Sequence, residues 1–169
     1  MFKNADDLLA YIKDEGVEIV DVLEKYKVLS RRELASRLEV YLEQYILSVH
    51  VEAKETAEMA KTTILPAAQR YLGELAGVAA NLKAVDLPYD AITLKTISGL
   101  VTDLLTGIAE LETALAHESD GESLEHAAYA RDALIPPMAK VRAAADGLEA
   151  LVADDQRPLP TYQEMLHIL

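Results

Sequence analysis

Apolar side chains recur at steps of three and four residues along nearly the whole chain. That spacing restricts the fold more than any other feature. It lays one apolar stripe along each helix, whereas a half-buried strand alternates with a period of two. The clearest run is Leu94, Ile97, Val101, Leu104, Ile108, Leu111 and Leu115, a seam that neighbouring helices can share. Sustained alternation flanked by hairpin dipeptides such as Asn-Gly is not found. The fold class expected is all-α: an antiparallel bundle of three long, kinked helices, with two short amino-terminal helices and an extended Pro-rich tail.

Local signals place the boundaries of a single helical domain over residues 1–169. Residues 1–28 read as two short helices, the first capped by Asn4 and ended by Gly16, the second running from Val17 to about Lys27. Ser30 then caps a long helix over 30–85, with Glu33 at the reciprocal capping-box position. Its stripe is Leu34, Leu38, Tyr41, Tyr45, Val49, Ala53, Ala57, Ala60 and Ile64, and resumes at Ala67, Tyr71, Leu72, Leu75 and Val78. Pro66 interrupts it. Proline removes a backbone donor and clashes with the preceding turn, so a kink or break is expected there. Asp86-Leu87-Pro88 makes a turn into a helix over 90–118, and Ser119-Asp120-Gly121 makes the next. A helix over 122–153 follows, bent at Pro136-Pro137, with Leu124, Ala128, Leu134, Ile135, Met138, Val141, Ala145, Leu148 and Val152 as its stripe. In the tail, 154–169, Arg157-Pro158-Leu159-Pro160 is extended, because a residue before proline avoids helical geometry. Tyr162 to Leu169 has room for one last short turn.

At the α-helical rise the long helix spans about 80 Å, which the later helices flank only in part. Between Leu38 and Val51 it is apolar on more than one face. Such a segment is normally buried. Either the short amino-terminal helices and the tail cover it, or another protein surface does. Tyr41, Leu42, Tyr45, Ile46 and Val49 are accordingly the candidate interface residues, and self-association of the chain is expected.

Charge narrows the partners. With 16 basic and 29 acidic residues the net charge is -13, a field that repels phosphate backbones and anionic membranes, so neither nucleic acid nor membrane is an expected partner. The amino terminus carries acidic residues where a signal peptide would be apolar. No uncharged apolar run approaches the roughly 20 residues of a membrane span. Cysteine is absent, which removes disulfides and thiolate metal sites and fits a cytoplasmic location.

A search for chemistry finds no self-contained active site, and no catalytic, cofactor-binding or metal-binding residue is assigned. A di-metal bundle needs a Glu-x-x-His pair from each of two helices. Only Glu164 and His167 have that spacing. Glu122 and His126, four apart, make at most a weak local pair. Arg31, Arg32 and Arg37 read as partners for neighbouring carboxylates such as Glu33 and Glu39. The Tyr41–Tyr45 pair reads as core with its hydroxyls at the rim. Adjacent Asp154 and Asp155 are a poor cation site and read as a solvated helix end. The seven Gly are scattered, so no phosphate-cradling loop exists.

Several blocks resemble the carboxy-terminal region of type III glutamine synthetase. Glu33-Leu34-Ala35-Ser36-Arg37-Leu38-Glu39 leads into Glu43-Gln44-Tyr45, similar to that family's Glu-Leu-x-Ser-Arg-x-Glu segment ending in Glu-x-Tyr. Ile64-Leu65-Pro66 with Tyr71 is similar to its Ile-x-Pro-x-x-x-x-Tyr. Asp154-Asp155-Gln156-Arg157-Pro158-Leu159-Pro160-Thr161-Tyr162 resembles its Asp-Asp-x-x-Pro-Leu-Pro-x-Tyr ending. The resemblance covers roughly residues 17–75 and 132–166. It implies a parent enzyme that joins ammonia to glutamate with ATP and a divalent metal (Mg or Mn) in a large ring. It also implies that the ligands for these lie in a catalytic domain preceding this region. On that reading the chain is a non-catalytic fragment or excised domain serving subunit packing or domain support, its partners the catalytic domain and neighbouring subunits. The alternative from another class is a free-standing helical adaptor; a metal-binding four-helix protein is a weaker third.

Overall fold

The structure is a computed structural model, described over residues 19–117, 123–157, 159–160 and 165–166. The expected first helix, from Asn4 to Gly16, lies outside the described residues. Those residues form helices and connecting turns, with no strand among them. The chain divides into two compact units, residues 1–45 and 46–169.

In the first unit, α1 (Ile19–Lys25) ends in a turn where Lys27 takes a left-handed φ of 53°. Ser30 and Glu33 then start α2 (Arg31–Met59) with the expected reciprocal cap: the Ser30 N–H donates to Glu33 Oε2 at 2.8 Å and the Glu33 N–H donates to Ser30 Oγ at 3.3 Å. These bonds, the Ser30 backbone bond first, hold the Glu33 carboxyl below its ordinary value. Arg31 pairs back to Asp21 and to Glu24, the latter at 3.2 Å, and so ties α2 to α1.

The second unit holds the core. The last turns of α2 lead into a π-helical turn, Ala60–Ile64, and directly into α3 (Leu65–Ala84). The chain reverses through Asp86, at a φ of 61° that Asp tolerates better than most residues. Asp90 caps α4 (Ala91–Leu115), accepting from the Ile92 and Thr93 N–H groups at 3.0 Å each. After residues 118–122, α5 (Ser123–Tyr129), a second π-helical turn (Ala130–Leu134) and α6 (Ile135–Glu149) form another continuous run. A short 3-10 turn, Asp154–Gln156, opens the tail.

The expected seam of α4 is the centre of this core: Ile97, Val101, Leu104, Ile108 and Leu111 are all buried, against α6 on one side and α3 on the other. By length and hydropathy alone α4 could cross a membrane, but its apolar stripe is occupied by its neighbours in the bundle. Gly107 lets α6 come close: a Cβ there would lie 3.0 Å from Val141 Cγ2 and 3.3 Å from the Val141 backbone nitrogen.

At both proline sites the sequence predicts a kink or bend, and the structure shows how the helix accommodates the ring. Proline cannot donate to the carbonyl four residues back, and its ring crowds that carbonyl. The helix widens instead of breaking. The Leu65 N–H bonds to the Ala60 carbonyl and the Ile135 N–H to the Ala130 carbonyl, each one residue beyond the α-helical step. The two sites share a pattern that sequence reading had not isolated: Ala57-x-x-Ala60-Lys61-x-x-Ile64-Leu65-Pro66 recurs as Ala127-x-x-Ala130-Arg131-x-x-Leu134-Ile135-Pro136. All four alanines are buried.

Six expected stripe positions are corrected: Leu38, Tyr41 and Tyr45 on α2 are exposed, and three more lie further along the chain. Leu124 and Ile135 are exposed, because the observed row is Ala127, Ala130, Leu134, Pro137, Val141, Ala144 and Leu148, and both residues lie one position off it. Val78 is also exposed, on the last turns of α3 beyond the row that meets α4.

Candidate functional site

The candidate residues on α2 divide. Val49 is buried and continues into the core row Ala53, Ala57 and Ala60. Leu42 and Ile46 are half-buried, while Tyr41 and Tyr45 are exposed at 66% and 38%, with Leu38, Leu47 and Val51 exposed as well. The tyrosines are therefore surface residues and not the core pair that their spacing suggested. Ser36, Arg37 and Glu39 are exposed on the same helix. Arg31 finds its partners in Asp21 and Glu24 rather than in Glu33 or Glu39.

The closing motif is brought to a defined place. Asp154 and Asp155 sit in the 3-10 turn, exposed, and Asp154 pairs with Arg157. Arg157 takes extended geometry (φ -73°, ψ 122°), as its place before Pro158 requires. Gln156 Nε2 donates to Glu74 Oε2 at 2.7 Å and fastens this turn to α3. Leu159 and Pro160 then run across a pocket of about 430 Å³. Its walls are Thr56 and Met59 at the end of α2, Ile64 in the first π-helical turn, Ala67 and Ala68 on α3, and Val141, Ala145 and Leu148 on α6. Pro66 therefore matters less as a contact than as the cause of the widened turn beside this pocket, and Tyr71 packs half-buried against the core one turn on. Pro158, Tyr162, Glu122, Glu164 and His167 lie outside the described residues.

The polar groups at the pocket are few. Arg142 and Asp146 on α6 pair at 3.5 Å. The Arg157 side chain is 23% exposed, and its Nε is buried with no hydrogen-bond partner. Sequence reading missed this pocket, because its walls come from two stretches far apart in the sequence, around residues 56–68 and 141–152, and the tail brings Arg157 to them. It also missed the Asp90 cap, whose position before a helical run was the available signal.

The Tyr129 hydroxyl donates to the Ala114 carbonyl at 2.8 Å, and its ring lies 4.7 Å from that of His117. Lys61 pairs with Glu112 at 2.7 Å, which raises the lysine pKa, and Lys140 pairs with Glu110 at 2.6 Å. Among the described residues no three His, Asp or Glu side chains come together as a metal site.

The described residues thus define an all-α helical unit, with exposed apolar side chains on one helix and a tail fastened to the bundle through Gln156. Residues 2–83 match the glutamine synthetase C-terminal domain family. The homologues include a glutamine synthetase of Butyrivibrio fibrisolvens, 29% identical over 99% of this chain and 24% of its own length. A glutamine synthetase of Bacteroides fragilis is 27% identical over 83% of the chain and 20% of its own length. The type-3 glutamine synthetase of Dictyostelium discoideum is 27% identical over 88% and 22%. The chain thus spans less than a quarter of the length of these relatives. No solved structure matches it.

Proposed function

We propose that this chain is the non-catalytic, carboxy-terminal helical part of a cytoplasmic type III glutamine synthetase, where it supports subunit packing. What carries this reading is the alignment of 99% of the chain with one stretch of a glutamine synthetase four times its length. The parent reaction, ligation of ammonia to glutamate with ATP and Mg or Mn, then belongs to the preceding catalytic part. The described side chains here do not fit a metal, and no step of that chemistry is assigned to them. The role of this domain is to present a surface to the catalytic domain and to neighbouring subunits. The exposed Leu38, Tyr41, Tyr45, Leu47 and Val51 supply its apolar contacts.

Two measurements test this. The purified chain, given glutamate, ammonia, ATP and Mg or Mn, forms no glutamine; turnover by the chain alone would overturn the reading. In sedimentation velocity the chain self-associates with rising concentration, and the double substitution Tyr41→Glu, Tyr45→Glu shifts it toward monomer. A wild-type chain that stays monomeric at high concentration removes the support for a packing surface on α2.

A further inference from the structure

The apolar row at the start of α2 reads the same from either end. Leu34, Leu38, Tyr41 and Tyr45 step by four, three and four residues, which sets them in one line along a helix. The same steps carry the line back to Arg31 and on to Ser48 and Glu52. Leu38, Tyr41 and Tyr45 are exposed, and Leu34 is half-buried. Turned end for end about Tyr41, the row falls on itself. Leu38 then comes opposite Tyr45, Leu34 opposite Ser48 and Arg31 opposite Glu52.

This symmetry selects the occupant. A twofold interface is one patch used twice, so the patch must complement itself in reverse, whereas a different protein imposes no such condition. The charges meet the condition too. Residues 31–37 hold Arg31, Arg32 and Arg37 against Glu33, and residues 52–58 hold Glu52, Glu55 and Glu58 against Lys54. One end of the row is therefore net positive and the other net negative. Antiparallel helices set each end against its opposite, and parallel ones set like ends together. The charge of -13 on each copy opposes any pairing, and these end contacts offset it where the copies meet. At the centre Tyr41 meets Tyr41, an aromatic pair.

We propose that the partner of this face is a second copy of the chain, its α2 antiparallel to the first about a twofold axis at Tyr41. This pairing rests on the reading of α2 as a packing surface, and adds which molecule packs there and in which direction. The chain has no cysteine, so single cysteines introduced into it report the geometry through a short bismaleimide. Tyr41→Cys links to itself. Ser48→Cys does not, because at the helical rise its two copies lie about 20 Å apart along the axis. An equal mixture of Ser48→Cys and Leu34→Cys links as the mixed dimer. The pairing is overturned if Ser48→Cys links to itself, if Tyr41→Cys fails to link in a chain that sediments as a dimer, or if the mixture fails to link with its helical circular dichroism intact. Should Leu34→Cys lose that helical signal, the two exposed positions, Tyr41 and Ser48, decide alone. A wild-type chain that sediments only as monomer removes the packing surface itself and this pairing with it. A dimer with the wrong links overturns the pairing and leaves the packing surface standing.

Discussion

Single positions separate packing from propensity most cleanly at the glycines. Gly107 and Gly99 lie on the same helix, and each loses helix stability relative to alanine. A Cβ at Gly99 meets nothing within 4 Å, whereas one at Gly107 presses on Val141, a stiff β-branched side chain backed by its own backbone. Gly99→Ala is expected to stabilise by up to about 1 kcal/mol. Gly107→Ala is expected to destabilise by about 1–2 kcal/mol net, overpacking outweighing the propensity gain. Urea denaturation of the two variants checks the opposite signs. Asp90 makes a second residue-scale prediction. Hydrogen bonding by the Thr93 side chain, then by the Thr93 and Ile92 backbone groups, lowers its pKa from the ordinary 3.8. A carboxylate lowered on folding contributes stability that is present above its unfolded value and lost as pH falls through its folded value. Asp90→Ala therefore lowers the urea midpoint at pH 7, and the gap from wild type narrows as the pH is taken below 3.8. A gap that holds constant into strong acid would show that the cap acts without its charge.

At the scale of elements, the two proline-bearing runs show what the sequence carried and what it did not. The stripe of α4 is legible because each burying residue is large and the step never falters. The kinks were legible as kinks, since proline forbids the α-ladder, but their π form was not. That form depends on alanines small enough to sit beside a widened turn, and alanine is too weak a hydrophobic signal to mark a core position by itself. Ala60 and Ala130 are 1% and 0% exposed. Ala60→Leu and Ala130→Leu are each expected to destabilise by about 1–3 kcal/mol through overpacking. The same change at exposed Ala80 or Ala139 is expected to fall within about 0.5 kcal/mol of wild type. Thermal melts of the four variants make the comparison, and equal melting temperatures would remove the special status of the π turns. The candidate site was partly legible. The Pro-Leu-Pro ending stood out because it cannot be helical, yet nothing local indicates that Leu159 lines the same pocket as Met59 and Val141. The tyrosines of α2 were misread because their spacing is the same whether a stripe meets a core or a partner.

For the whole chain the dominant long-range quantity is charge. A surplus of thirteen negative charges on one folded chain repels itself, and the compact state suffers more than the expanded one. Against this stand ion pairs such as Lys61–Glu112 and Lys140–Glu110, whose side chains are 43–59% exposed. Pairs that open to water contribute about 0–1 kcal/mol each. Salt weakens both terms, and the two make opposite predictions. The repulsion acts between many charges spread over the surface, where screening over roughly 10 Å at 0.1 M salt removes much of it. The pairs, with nitrogen and oxygen in direct contact, are screened less. Adding sodium chloride should therefore raise the urea midpoint steeply at first and level off by about 0.15 M, where the screening length has fallen to about 8 Å. Potassium chloride should trace the same curve, because only ionic strength enters. A midpoint that falls with salt would mean that the contact pairs, and not the net charge, govern the electrostatic stability of this chain.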